Sequence, residues 1–273
     1  WQNFLYLFLI ALGIILLIPF VFMINRGLMT NERFTDTVMH YFPDKLEFSN
    51  FVNAFKEGSY GLPLVNSLWL CVLNAVAVPF VSLLPAYAFA KLEWIGKKFV
   101  FAFMMFTAML PSIVTQVPLY VLYNDLGMLN TFLPLFLPSL LFTGAMNVFL
   151  TRQFLLGQPK ELEESAIIDG ANPFVRFITI SAPLCKPILM YLGITTFIST
   201  WGDYYTPSIY ITSEDAQRTF ALELYNATWS QTNIAHPEWI FTAATVLTMV
   251  PAVLFAFFQK YLVQGIATAG IKG

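Results

Sequence analysis

The chain has 273 residues, of which 58% are hydrophobic and only 11% charged, with a formal net charge of −2. A soluble domain usually carries about 25% charged residues, so this composition, with a mean hydropathy of +0.67, excludes an ordinary water-soluble globule and points to a membrane. No Gly-x-x-x-x-Gly-Lys-Ser/Thr phosphate loop occurs, since Gly96-Lys97-Lys98 lacks both the upstream glycine and the hydroxyl residue. Nor does the sequence contain a nucleophile elbow or a zinc-protease helix. The chain is therefore expected to have no catalytic residues and no metal ligands, and a membrane-embedded enzyme has no residue cluster to rest on.

Six apolar stretches, near residues 4–24, 64–90, 99–123, 131–151, 187–210 and 239–263, each reach the roughly 20 residues a helix needs to cross about 30 Å of hydrocarbon. Backbone amides in lipid must bond to one another, so these stretches predict helices. The expected fold is an all-α membrane protein with six transmembrane helices in a single domain over 1–273.

The first span follows Trp1 almost at once, and without an initiating Met the numbering is expected to omit upstream residues. A signal peptide is the rival reading of 4–24, but no small-x-small cleavage pattern follows and the apolar run is too long. Residues 25–63 form an outer loop rich in aromatics and turn formers, which either meets an external partner or caps helix ends. Span two carries Pro79 and Pro85 and is expected to kink, as is span five, with Gly202 and Pro207. Spans three and four are likewise expected as helices. A second outer loop, 211–238, precedes span six.

Cys71 falls in the outer half of span two and Cys185 at the inner start of span five, too far apart for a bridge that tolerates about 7 Å between Cα atoms. His40 and His236 both lie in outer loops and read as ordinary surface histidines. Asp203 is the one candidate for a charge within the spans. It is either an interfacial acid beside an aromatic belt or a residue at the outer mouth of a translocation path.

Orientation follows from the basic residues. One side carries Lys91, Lys97, Lys98, Arg152, Lys160, Arg176, Lys186, Lys260 and Lys272 against five acids, a balance of about +4, while the other side balances to about −6. The first side is expected to be cytoplasmic, with the C-terminus and the block between spans four and five, residues 152–186.

That block reads as two short helices and a tight turn. Gln158-Pro159 opens the first helix, with Pro at the first helical position. Glu161, Glu163 and Glu164 fall in its first turns, where the helix dipole favours negative charge. Asp169-Gly170 ends it. Asn172-Pro173 caps and starts the second helix, whose Phe174, Phe177, Ile178 and Ser181 recur at helical spacing on a mostly apolar face. Pro183 and Pro187 close it before span five. On physics alone these acids and glycines are ordinary capping chemistry as readily as a docking surface.

Glu164-Ser165-Ala166, Asp169-Gly170-Ala171 and Ile180-Ser181-Ala182-Pro183, at this spacing, resemble the Glu-Ala-Ala…Asp-Gly-Ala…Ile-x-Leu-Pro cytoplasmic loop of the membrane subunits of ABC importers. Ser165 and Ala182 depart from that pattern but keep its small or apolar character. Asn66-Ser67-Leu68, Ala86-Tyr87-Ala88-Phe89-Ala90, Trp201-Gly202-Asp203 and the tail from Gly265 to Gly273 further resemble carbohydrate-uptake permeases of the maltose-transporter type, especially the smaller six-span partner of the permease pair.

The resemblance implies that the two-helix block is a coupling loop, with Glu163, Glu164, Ser165, Ala166, Asp169, Gly170, Ala171 and Pro183 serving ATPase coupling. It also implies a second permease subunit, two ATPase subunits that hold ATP and Mg, and an extracytoplasmic substrate-binding protein delivering a sugar. The chain itself then needs no cofactor, and no nucleic acid is expected. The implied location is the cytoplasmic membrane of a bacterium or archaeon, and the tail is implied to reach the ATPase pair. Sugars favour aromatic faces and hydrogen-bonding groups, so Gln116, Tyr120, Asn147, Trp201 and Tyr204 are candidates for the path. A stand-alone secondary transporter or channel is the alternative, but it would want internal repeats or ionisable groups at midplane.

Overall fold

A computed structural model describes residues 1–213, 217–229 and 235–270, the last ten of these by backbone alone. Among the described residues the regular elements are all helices. In chain order the helices are α1 (Gln2–Gly27), α2 (Asn31–Thr35), α3 (Ser49–Lys56), α4 (Gly61–Lys91), α5 (Lys97–Ala108), α6 (Ser112–Asp125), α7 (Leu133–Leu141) and α8 (Ala145–Leu156). There follow α9 (Lys160–Ile168), α10 (Pro173–Arg176), a π-helical turn (Phe177–Ser181), α11 (Ala182–Leu184), α12 (Lys186–Gly202), α13 (Tyr205–Tyr210), α14 (Phe220–Trp229) and α15 (Glu238–Gly270).

Among the described residues, four segments are long and apolar enough to cross a membrane: α1, α4, α7 with α8, and α15 as far as Lys260. The number rises to six if each of two sharply bent helix pairs is one span. Spans one, two and six thus coincide with the apolar runs. Despite Pro79 and Pro85, α4 is continuous over 31 residues, and the Ser82 hydroxyl donates to the Pro79 carbonyl at 2.8 Å, within the turn that follows the proline.

The runs of spans three and four are each interrupted, whereas kinks are expected from the sequence in spans two and five. In span three, α5 and α6 meet at 93°. The Met109 and Leu110 amides close back on Phe106 and Thr107, and Pro111, with no N–H and an extended ψ of 133°, starts the next helix in a new direction. In span four, Phe142 becomes extended (φ −138°, ψ 155°) while its amide still reaches the Pro138 carbonyl, and Gly144 restarts the helix as α8. That helix also runs to Leu156, five residues beyond the expected end at 151. Span five is broken as well: α12 stops at Gly202 and α13 follows after Asp203 and Tyr204.

The chain divides into two compact units. The first comprises residues 1–67 and 218–253. Here Gly27, the last residue of α1, lies so close to α15 that a Cβ would stand 2.9 Å from the Thr242 amide nitrogen. The Gly27 carbonyl accepts from both Asn50 Nδ2 (3.0 Å) and Thr242 Oγ1 (3.0 Å). Buried Glu238 receives Asn31 Nδ2 at 3.0 Å and pairs with His236 at 2.9 Å. Phe55, Tyr60 and Phe220 pack as a ring cluster, and burial pushes the Tyr60 hydroxyl up to about 12. The Ser67 hydroxyl accepts the Phe220 amide (2.7 Å) and Asn66 donates to the Arg218 carbonyl (3.1 Å), which accounts for this Asn-Ser pair at the start of span two.

The second unit comprises 68–217 and 254–273. Its core joins Leu83, Ala86, Tyr87 and Phe89 of α4 to Val148 and Leu155 of α8 and to Cys185 and Ile188. Arg152 donates through Nε to the Phe89 carbonyl and lies 4.4 Å over the Phe101 ring, so its charge is kept at a partly covered site. Gly193 of α12 approaches the α4 backbone closely, a Cβ there falling 3.0 Å from the Ala75 carbonyl oxygen.

Candidate functional site

The block between spans four and five is built by local chemistry. Pro159 is the N-cap of α9 (φ −55°, ψ 130°), so the helix begins one residue later than expected, and Glu161 and Glu163 lie in the first turn. At the other end Asp169 is the C-cap and Gly170 adopts φ +79°, the left-handed conformation that glycine accepts without a steric cost. The Ala171 amide bonds the Ala166 carbonyl at 2.9 Å and the Gly170 amide bonds Ile167 at 3.0 Å, the paired closure of a Schellman motif. Two residues later Asn172 caps α10, its Oδ1 accepting the Val175 amide at 3.0 Å with Pro173 in the first turn. The second helix then widens into the π-helical turn Phe177–Ser181 before α11, and it meets α12 at 66°. The expected apolar face is split: Ser181 is buried and Phe177 partly so, while Phe174 and Ile178 are exposed.

Adjacent glutamates face different surroundings. Glu164 is exposed. Glu163 points inward, its side chain only 13% exposed, and its Oε2 lies 3.2 Å from Lys91 Nζ at the end of α4. Its Oε1 is 3.2 Å from the Tyr87 hydroxyl and 3.5 Å from Arg176 Nη1. Among the remaining loop residues Ala166 is buried, the Ser165 hydroxyl is tied to the Leu162 carbonyl, and Asp169, Gly170 and Pro183 are exposed. The outward surface is largely apolar: Ile168 is 85% and Phe174 66% exposed, with Leu162, Ile167 and Val175 beside them.

A second feature is an open cavity of about 660 Å³ at the break in span four. Its wall is formed by Val78, Pro138, Ser139, Phe142, Thr143, Gly144, Asn147 and four α12 residues, Thr195, Thr196, Ser199 and Thr200. Thr195 donates to the Tyr191 carbonyl (2.9 Å) and Ser199 to the Thr196 carbonyl (2.9 Å). A hydroxyl that spends its proton on its own helix keeps lone pairs for an incoming donor. The wall is thus polar, uncharged and rich in acceptors.

Of the five residues expected on a path, Asn147 alone lines this cavity, donating to Thr143 Oγ1 at 3.3 Å. Gln116 lies elsewhere, accepting from the Tyr205 hydroxyl at 3.1 Å, and Tyr120 is exposed on the same helix. Trp201 is 1% exposed and stacked on Phe197 (6.2 Å, 16°), whereas Tyr204 is exposed. Cavity-lining residues that the sequence reading did not name are Ser139, Thr143 and the α12 hydroxyls. Thr195 and Ser199, like Thr196 and Thr200, stand one helical turn apart in an apolar span, a pattern readable from the sequence.

Asp203 caps the turn into α13, its Oδ1 accepting the Thr206 amide at 3.0 Å. Cys71 and Cys185 are both free and buried. Each histidine has one carboxylate partner, Asp36 for His40 (2.7 Å) and Glu238 for His236. The hydrogen bond from His40 holds the Asp36 carboxyl below its ordinary value. The tail from Gly265 continues α15 to Gly270, and 271–273 lie outside the described residues.

Comparison with known proteins gives consistent results. Residues 79–268 match the family described as binding-protein-dependent transport system inner membrane component. The arabinooligosaccharides transport system permease protein AraQ of Halalkalibacterium halodurans is 33% identical over 233 residues, which cover 85% of this chain and 81% of that protein. The melibiose/raffinose/stachyose import permease protein MelC of Bacillus subtilis is 30% identical over 259 residues, covering 94% and 91%. In three dimensions the chain is similar, with a TM-score of 0.74 and 20% identity over 95% of this chain and 96% of the other, to a chain from the crystal structure of a bacterial ABC transporter involved in import of the acidic polysaccharide alginate. With a family match over most of its length and relatives at 30% identity or more across nearly all of it, the chain belongs to the binding-protein-dependent transport system inner membrane components.

Proposed function

We propose that this permease forms half of the translocation path of an ATP-driven importer for a sugar or oligosaccharide, with ATP and Mg held by partner ATPase subunits. The observation that carries this reading is the outward surface of the α9–α10 loop. A nine-residue helix capped at its C-terminus by a tight turn presents Ile168, Ile167 and Phe174 outside the apolar spans. Exposed apolar clusters rimmed by charge are the usual mark of a protein contact. The exposed carboxylates Glu161, Glu164 and Asp169 surround this one and would take charge-assisted bonds from basic groups of an ATPase.

The hydroxyl-lined cavity supports the substrate class. Neutral sugars bring many O–H donors and no charge, and the cavity wall offers uncharged oxygen acceptors. The relatives named for arabinooligosaccharides and for melibiose, raffinose and stachyose point the same way. In this reading a second permease completes the path and an extracytoplasmic protein delivers the sugar. The loop and the C-terminus face the cytoplasm, six crossings being reached with each bent pair as one. ATP-driven closure of the ATPase pair moves the loop, and α12, joined to it through Pro183 and Cys185, moves with it.

The test is co-expression with the cognate ATPase, second permease and binding protein, followed by purification and reconstitution in liposomes. ATP-dependent uptake of a labelled arabino- or galacto-oligosaccharide is the expected result. A permease that purifies free of ATPase and transports without ATP would refute the importer reading. ATP-dependent uptake of amino acids or ions in place of every glycan offered would refute the substrate class alone.

A further inference from the structure

We infer that Glu163 is a positioning residue that clips the coupling loop to the cytoplasmic end of α4, so that motion of the loop is delivered to span two as well as to span five. The inference rests on the proposed reading of the loop as the ATPase-docking element, but it assigns Glu163 a role facing away from the ATPase.

Both oxygens of this carboxylate are already engaged by groups of the same unit. Lys91 Nζ takes Oε2 at 3.2 Å, and Arg176 Nη1 and the Tyr87 hydroxyl approach Oε1 at 3.5 and 3.2 Å. The side chains of Lys91, Glu163 and Arg176 are each only 12–13% exposed. A cation from a partner would have to displace one of them and strand it, which is costly for a charge so far out of water. The Tyr87 hydroxyl is also 3.1 Å from the Pro173 carbonyl, and its ring packs on Phe177 at 5.0 Å. One carboxylate therefore gathers the last turns of α4, the first turn of α9 and the end of α10, across 76 residues of sequence.

Cohesion alone does not call for charges here. Apolar side chains of similar volume would hold three helices together as well or better, because desolvating ions offsets much of their attraction. Directional bonds from two cations to one carboxylate instead fix a single relative placement. The element so fixed is α4, which contributes Val78 to the hydroxyl-lined cavity. Arg176 Nε is buried without a partner among the described residues, so this arrangement is held at some cost and not by excess of bonds.

The experiment uses the complete transporter in liposomes, with Glu163→Gln, Lys91→Met, their combination, and the conservative Lys91→Arg. Three quantities are read on one preparation: ATPase retained, ATP hydrolysed, and sugar taken up per ATP. Glu163→Gln and Lys91→Met should keep the ATPase while uptake per ATP falls about tenfold, the scale of one lost charge-assisted bond. The double variant should be no worse than either single one, and Lys91→Arg should stay near the parent. Loss of ATPase from Glu163→Gln but not from Lys91→Met would overturn the inference, because the carboxylate would then be a direct docking contact. Unchanged uptake per ATP in both would overturn it too, as would loss of the complex in every variant including Lys91→Arg. If instead Glu164→Lys and Ile168→Ala leave ATPase binding intact, the docking reading of the loop fails independently of the clip.

Discussion

Ile168 offers the sharpest test of the docking surface, because its two possible roles differ in sign of effect on two measurements. It is the last residue of α9 and is 85% exposed. Ile168→Ala removes three carbon atoms from a side chain that the subunit barely covers, so the subunit's own stability should change by less than about 0.5 kcal/mol. If an ATPase buries the side chain, each lost methylene or methyl is worth about 0.8 kcal/mol. The sum, about 2.4 kcal/mol, weakens association about 60-fold. Gly170→Ala is the companion, since a Cβ there meets nothing within 4 Å and the change acts only through φ +79°. It should cost about 1–2 kcal/mol in the turn and weaken association less than Ile168→Ala does. Binding of purified ATPase to the permease pair in nanodiscs, with melting temperatures on the same samples, separates the contributions. An unchanged dissociation constant at equal melting temperature would refute apolar docking through this residue, and a lowered melting temperature for Ile168→Ala would place it in packing instead.

Three further outcomes are expected. Thr196→Val should lower uptake severalfold while ATPase association and melting temperature stay unchanged, because it removes one acceptor from the cavity wall without altering volume much; an effect on assembly would contradict this. Trp201→Ala should show as lost complex, not as lost transport in an intact complex, since emptying a site 1% exposed costs about 3–5 kcal/mol; normal yield with abolished uptake would return Trp201 to the path. A cysteine placed at Ser213 should react with an impermeant thiol reagent in whole cells and one at Gln158 should not, the reverse pattern inverting the orientation.

What the sequence revealed is what short-range chemistry decides. The turn at Asp169-Gly170 and the cap at Asn172 were legible because the left-handed glycine and the Asn side chain act on their own neighbours. The breaks in spans three and four were not legible. Pro111 marks one of them, but Pro19, Pro79, Pro85, Pro118 and Pro251 all lie inside continuous helices, so proline in an apolar run does not by itself decide. Hydropathy reports that a segment belongs in lipid but carries no record of its direction. Glu163 and Glu164 are alike in type and adjacent, yet one turns to Lys91 and the other to solvent. That choice belongs to the packing of α9 on α4, which no local pattern encodes. Trp201 is ambiguous for a similar reason: a tryptophan suits a sugar face and a packed interior equally well, and its burial with Phe197 stacked on it is a matter of packing that the sequence does not record.

The single residue between Gly170 and Asn172 has a mechanical meaning. Helix ends normally fray, and a frayed end absorbs displacement as disorder before passing any on. Here the facing ends are both closed, one by the Ala171 and Gly170 amides and the other by Asn172, leaving no slack between α9 and α10. In a series of springs the strain gathers in the softest one. Past this rigid elbow the compliant links are the π-helical turn at Phe177–Ser181, whose wider coil holds its hydrogen bonds less favourably, and the 66° junction with α12. A displacement of α9 is therefore expected to be taken up first at that turn and junction, directly before the helix that carries the hydroxyls of the cavity.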